Sequence, residues 1–252
     1  MVNLVILDSG HAENVSGKES PDKTLREWDF NNQMQYKLKK RCEDHNIKVY
    51  LTNPSPKGID EIGLAKRATL ANTYWTSQGK PKSLFISIHA NAYGLDFNDA
   101  RGTETYVASN ASNSSKSAAN YIQTEIYNTI KMIDQNAKNR GVKTSDFTVI
   151  YKANMPSILL EYAFYTNKED LSILKNNKDE LVEATMKGIC KYFNITYKEV
   201  KKEIETTVNS NIYYRVVVGS YSDKSNAEEM VEKFKKEGYP AFMSVIKKNN
   251  RI

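Results

Sequence analysis

The chain has 252 residues, 40% of them hydrophobic and 26% charged, with a formal net charge of +6 that hints at an anionic partner. This length implies one main domain plus a remainder, and a core that needs no disulfide staples. No apolar run approaches the roughly 18 residues of a membrane span, the first residues lack the basic and long apolar stretches of a secretory signal, and two cysteines cannot make a disulfide framework.

Val2–Leu7 is a continuous apolar run, as expected of a parallel strand buried on both faces. A polar loop follows through Pro21. Phe30, Met34, Leu38 and Cys42 then recur every four residues, so Glu27–Asp44 reads as an amphipathic helix. Lys48–Thr52 reads as a short strand and residues 53–58 as a loop. Leu64, Ala68, Ala71 and Trp75 mark a second helix, closed by Gly79 and Pro81. Strands are expected at Leu84–Ile88 and Thr103–Val107. Ala119, Ile122, Ile126, Ile130 and Ile133 stripe a third helix. Phe147–Tyr151 and Ile158–Leu160 read as strands, and Leu181, Thr185, Ile189 and Phe193 stripe a last helix. Cys42 and Cys190 fall in helical segments and read as buried thiols.

Strands alternating with helices imply an α/β domain over residues 1–195, with a mostly parallel sheet flanked by helices. Residues 196–211 are polar without apolar periodicity and read as a linker. Beyond it, a strand at Tyr213–Val218, a helix carrying Ala227, Met230, Val231 and Phe234, and a strand at Ala241–Ile246 compose a small βαβ module over residues 212–252. The basic excess is spread over both parts, which argues against a nucleic-acid arm.

In open α/β sheets, sites lie beyond the carboxyl ends of the strands. His11 follows the first strand there, His89 ends the Leu84–Ile88 strand, and Glu161 ends the Ile158–Leu160 strand. A lone histidine after a strand is usually structural; two at equivalent strand ends, with a carboxylate at a third, weaken that reading. Glu27 admits two accounts. Thr24-Leu25-Arg26-Glu27 has the pattern of a capping box, with Thr24 as the cap. Yet Glu27 also lies on the inward stripe of Phe30 and Met34, where a carboxylate needs a partner such as a metal. His45 follows the first helix and reads as a structural residue at its C-terminus.

His11, Glu27 and His89 together would be a donor set that leaves a zinc ion one open position. Their spacing alone is not diagnostic. Six motifs occur in order, however: Asp8-Ser9-Gly10-His11; Glu27 opening a helix; Ser87-Ile88-His89-Ala90-Asn91; Arg101-Gly102-Thr103-Glu104-Thr105-Tyr106; Asn139-Arg140-Gly141-Val142-Lys143; and Met155-Pro156-Ser157-Ile158-Leu159-Leu160-Glu161-Tyr162. Over about residues 2–193 the chain thereby resembles the zinc-dependent N-acetylmuramoyl-L-alanine amidases of the type 3 family. The resemblance implies that His11, Glu27 and His89 bind Zn2+, that Glu161 is the catalytic carboxylate, and that peptidoglycan is the substrate. Ser9 stands where family members often have proline, and Ala12-Glu13 where they often have a glycine pair. Arg140 and Asn91 lie close enough to these motifs to contact substrate. For Arg140 a turn residue before Gly141 is the favoured reading, and Asn91 is also read as holding the His89 loop.

The tail, with Tyr213-Tyr214-Arg215-Val216-Val217-Val218-Gly219-Ser220-Tyr221 and Gly238-Tyr239-Pro240-Ala241-Phe242, resembles the first half of a SPOR domain. That resemblance implies binding to glycan strands denuded of stem peptides. Because only half the domain is present, two chains are expected to pair their tails as a homodimer through residues 212–252. The competing readings are a zinc peptidase acting on the stem peptide and a non-catalytic wall-binding protein. No nucleic-acid partner and no membrane insertion are expected. Made in the cytoplasm without a signal peptide, the enzyme is expected to reach the wall after holin-mediated release or lysis, as a phage endolysin or a mother-cell-lytic amidase.

Overall fold

The computed structural model describes residues 2–54, 58, 60–200, 219–238 and 241–244. The chain divides into two compact units, Met1–Glu199 and Val200–Ile252. The first is built from β1 (Leu4–Ser9), α1 (Glu27–Asp44), β2 (Lys48–Asn53), α2 (Leu64–Ser77), β3 (Ser83–Asn91), β4 (Thr103–Val107), α3 (Asn113–Ile133), β5 (Asn139–Thr144), α4 (Thr148–Tyr151), β6 (Ser157–Phe164), α5 (Lys168–Asn176) and α6 (Lys178–Phe193). Its six strands form one sheet in the order β2-β1-β3-β6-β4-β5. β1 pairs in parallel with β2 and β3, and β3 with β6. β4 runs antiparallel to β6 and carries β5 parallel to itself, so two strands oppose the other four.

Why β1 is apolar over Leu4–Leu7 is clear from its two faces. Val5 and Leu7 enter one core with Phe30, Met34 and Leu38 of α1 and Ile122 and Ile126 of α3. Leu4 and Ile6 enter a second core with Ala71 of α2, Val149 of α4 and Leu159 of β6. A strand covered on both sides has no solvent face to make polar. Cys42 and Cys190 are buried free thiols, as expected.

Two expectations are corrected, and one helix is additional. Phe147–Tyr151 is not a strand: Thr148–Tyr151 forms a single helical turn, with Val149 and Ile150 in the second core. Its β-branched content suits a strand, but burial position overrides propensity. The polar segment Asn139–Thr144, in which Arg140 was favoured as a turn residue, is the edge strand β5. Helix α5, capped by the Asn167 side chain on the Asp170 amide, was not anticipated.

In the second unit, helix α7 (Lys224–Lys236) is present and carries Ala227, Met230, Val231 and Phe234. The expected strand Tyr213–Val218 lies outside the described residues. Of the expected strand Ala241–Ile246, residues 241–244 have no regular structure and the remainder lies outside the described residues. Among the described residues no helix is long and apolar enough to cross a membrane.

Candidate active site

Glu27 is the first residue of α1, and its backbone is satisfied without a side-chain cap. Arg26 occupies the N-cap position with no capping side chain, while the Glu27 amide donates to the Lys18 carbonyl at 2.8 Å. Thr24 does not cap; its amide and its hydroxyl both donate to Asp22. The capping account of Glu27 therefore fails, because a shorter loop contact with Asp22 captures Thr24 first. The Glu27 side chain is left to point away from the helix, and it is only 3% exposed.

That buried carboxylate meets both candidate histidines. His89 Nδ1 lies 3.0 Å from Oε1 and His11 Nε2 lies 3.3 Å from Oε2. Asn31, one turn along α1, donates to Oε1 at 3.3 Å, and the Ala90 amide approaches it at 3.4 Å. Burial alone would raise the Glu27 carboxyl; hydrogen bonds from His11 and His89 overcome it and hold the group well below the usual carboxylate range. One ligand-type atom from each of His11, Glu27 and His89 lies within 4.8 Å of the others.

Each of the three is fixed from behind. His11 adopts φ 65°, a left-handed conformation that a side chain with a Cβ enters at some cost. Asn53 Nδ2 secures it by donating to the carbonyls of Ser9 (2.7 Å) and His11 (3.0 Å). Below, Arg67 and Asp8 form a fully buried pair at 3.3 Å, with Arg67 also donating to the Ser9 carbonyl. Thr52 and Ser87 complete the hydrogen bonds of Asp8. His11 Nδ1 faces the Glu61 carboxylate at 3.4 Å. A carboxylate behind a histidine is a common way to orient a metal-binding imidazole.

Glu161 stands directly opposite His89 in the β3–β6 register. It lines a cleft of about 290 Å³ together with His11, Glu27, His89, Phe147 and Tyr165. Its Oε2 atom is buried and has no hydrogen-bond partner among the described residues. Burial, and then the negative charges of Glu27 and Glu104, push its carboxyl well above the ordinary range. A carboxyl raised in this way, beside a metal-type donor set, is placed for general acid–base work.

All four expected site residues thus line one cleft. Two imidazoles and a carboxylate around a common point are a donor set that fits a divalent metal, and an otherwise costly buried carboxylate gains a reason. His45 stands apart at the C-terminus of α1, where its Nδ1 meets the Arg41 carbonyl and its Nε2 accepts from the Lys198 amide. Arg140 is part of a cluster around Glu104 that composition did not reveal. Glu104 is buried and accepts from Arg140 Nε at 2.5 Å, from Lys143, from Tyr106 at 2.9 Å and from Asn91 at 2.7 Å. A charged residue within the β-favouring run Thr103–Val107 was the available signal. Glu61 had none, lying in an irregular segment.

Comparison with known proteins identifies the family and the fold. The family model described as N-acetylmuramoyl-L-alanine amidase matches residues 5–191, and the SPOR domain model matches residues 205–252. The endolysin of Bacillus phage SPP1 is 29% identical over 203 residues, covering 79% of this chain and 69% of its own. The N-acetylmuramoyl-L-alanine amidase CwlM of Bacillus licheniformis is 23% identical over 241 residues, covering 95% and 83%. Among solved structures, an N-acetylmuramoyl-L-alanine amidase from Clostridium difficile 630 superposes with a TM-score of 0.66 at 30% identity, covering 77% of this chain and 97% of its own. The catalytic domain of CwlV from Bacillus (Paenibacillus) polymyxa gives a TM-score of 0.64 at 25% identity, covering 77% and 100%. The fold is thus that of an amidase catalytic domain, and the chain belongs to the N-acetylmuramoyl-L-alanine amidase family, hydrolases that cut the amide between the glycan and the stem peptide of peptidoglycan.

Proposed function

We propose that this amidase works with a zinc ion held by His11, Glu27 and His89, and that Glu161 carries the proton of the reaction. The observation that supports this most is the placement of Glu161: across one strand pairing from His89, with a buried oxygen that no described residue satisfies. Zinc in such a site polarises the scissile carbonyl and acidifies water. An amide is hard to cut because its leaving amine is poor and must be protonated. Glu161 takes the proton of the attacking water and returns it to the alanine nitrogen. Its strand fixes the carboxylate, so little reorientation is needed between the two transfers. Glu27 and Asn31 hold His89 in place, and the Asp8–Arg67 pair holds the backbone that presents His11.

Residues 1–195 form the catalytic domain in this reading, and residues 212–252, joined by a linker over 196–211, bind denuded glycan strands. Such strands are what an amidase leaves behind, so the tail would retain the enzyme where it has already cut. Pairing of two tails would complete a half-sized module. Similarity to a phage endolysin supports release to the wall by lysis or through a holin.

Digestion of purified peptidoglycan with and without a chelator tests the chemistry. The expected products carry new amino-terminal alanine without new reducing sugar, and chelation abolishes them. Another amino-terminal residue would instead indicate a stem peptidase. Equal digestion in excess chelator would overturn the zinc site.

A further inference from the structure

The cluster around Glu104 is more than internal packing. Glu104 faces Glu161 directly in the antiparallel β4–β6 register, and Glu161 faces His89 in the β3–β6 register. The three side chains thus form a row across one face of the sheet. At its far end two cations converge on one carboxylate: Arg140 and Lys143 both donate to Glu104 Oε2. Arg140 reaches it because β5 bulges. Thr103 pairs with Asn139 and Glu104 with Gly141, which leaves Arg140 as the extra residue. Gly141, at φ 76°, supplies the left-handed conformation the bulge needs.

The charges do not balance. Burial would raise the Glu104 carboxyl, but its hydrogen bonds from Lys143 and Arg140 hold it below the ordinary range, so it is an anion. One anion beside two cations leaves a net positive charge. Among the described residues, Glu104 is the one carboxylate within ion-pair distance of either cation. Both cations are about one-third exposed, at 35% and 36%, while Glu104 is 2% exposed. Their packing stiffens them: the Arg140 guanidinium lies over the Phe164 ring at 4.9 Å and the Lys143 ammonium over Tyr106. Tyr106 in turn packs edge-on against Phe147, which lines the catalytic cleft. Asn91, another residue of the cleft wall, donates to Glu104.

We propose that Arg140 and Lys143, clamped on Glu104, form an anion subsite for the free carboxylate of the second stem-peptide residue. This rests on the amidase reading above. Stem peptides carry, after the alanine, an acidic residue whose α-carboxyl is free in some walls and amidated in others. Two extended residues span at most about 7 Å, which sets the reach from the scissile carbonyl to that carboxyl. Strands lie about 4.8 Å apart, so Glu104 is about 10 Å along the row from His89 and about 5 Å from Glu161. Because Glu161 returns the proton to the alanine nitrogen, the reach is counted from beside Glu161, and the roughly 5 Å from there to Glu104 lies within it, so a peptide running along the row brings its carboxylate to the cations. Guanidinium and ammonium groups with spare donors suit a carboxylate, whereas the amide offers them no charge.

The test compares two synthetic muramoyl dipeptides that differ only at this group, the free acid and its amide, cut by the full-length metal-loaded enzyme. Wild type is expected to favour the acid by about tenfold in kcat/KM, the size of one charge-assisted contact. The variant Lys143→Met takes the cluster from a net positive charge to neutrality, and Arg140 remains to pair the buried Glu104 carboxylate. It is expected to lose most of the preference for the acid, read as the ratio of the two kcat/KM values within the same variant. Equal rates on both substrates in wild type, or a preference that survives in the variant, would overturn the subsite. Release of amino-terminal alanine from neither substrate would overturn the amidase reading and this proposal with it.

Discussion

The imidazole of His89 occupies the space in which a side chain on Gly10 would lie. A Cβ placed on Gly10 would fall 2.1 Å from His89 Cε1, far inside contact distance. Gly10 is held in turn by its amide on the Ile88 carbonyl and by Asn31 on its own carbonyl. Neither backbone nor ring has room to yield without moving the His89 imidazole. Gly10→Ala should therefore leave the sheet folded and weaken zinc binding by about 10–100-fold, the range seen when support behind a ligand is lost. Competition against a chromogenic chelator measures this. Unchanged affinity in a folded variant would mean that His89 is not a ligand.

Glu161→Gln separates holding the metal from moving the proton. The amide side chain keeps the shape of the carboxyl but cannot accept and return a proton. Turnover on peptidoglycan should fall by about 10²–10⁴-fold, with metal content unchanged by elemental analysis. Retained turnover would remove Glu161 from the proton path.

Glu104 gives a pH signature. Its carboxyl is lowered in the folded protein from an ordinary value of 4.5 by Lys143 and Arg140, against the opposing effect of burial. A lowered carboxyl contributes stability above its unfolded value, and that contribution is lost as pH falls through the folded value. The gap in unfolding midpoint between wild type and Glu104→Gln should be widest near neutral pH and should close progressively below pH 4.5. A gap constant from neutral to acid pH would show that the ion pairs contribute nothing.

Gly188 sits where α6 crosses α3. A Cβ there would come within 2.6 Å of Ile122 Cα and 2.9 Å of its amide nitrogen. These are backbone atoms and cannot swing aside as a side chain can. Alanine improves helix propensity by about 1 kcal/mol, but overpacking of this kind costs about 1–3 kcal/mol. Gly188→Ala should lower the urea midpoint, with little effect on the metal site.

How much of this could be read from residues alone depended on whether one face or several neighbours set each position. The stripe Phe30, Met34, Leu38 and Cys42 was legible because one helix face meets one core. The apolar run of β1 was legible because both faces are covered. His11, His89 and Glu161 stood out because strand ends are where polar residues can gather in such a sheet. Helix α4 was misread because Val149 and Ile150 favour a strand in isolation, and only their packing against Leu159 and Phe85 gives the turn its reason. Edge strand β5 escaped because Asn139, Arg140 and Lys143 face solvent or Glu104 instead of a core. Thr24 misled because Asp22, two residues earlier, competes for its hydroxyl.

The reversed direction of β4 and β5 decides which parts of the chain can vary. Because they begin beside the point where β3 and β6 end, the segment 92–102 that leads into β4 borders the same edge of the sheet as the catalytic row. It lies outside the stretch of chain between His11 and His89, and it already displays Tyr93 and Leu95 to solvent. Lengthening or shortening it alters the rim without disturbing the spacing of His11, Glu27 and His89. Relatives adapted to walls of different chemistry can therefore change there first, while the centre that cuts the bond stays as it is.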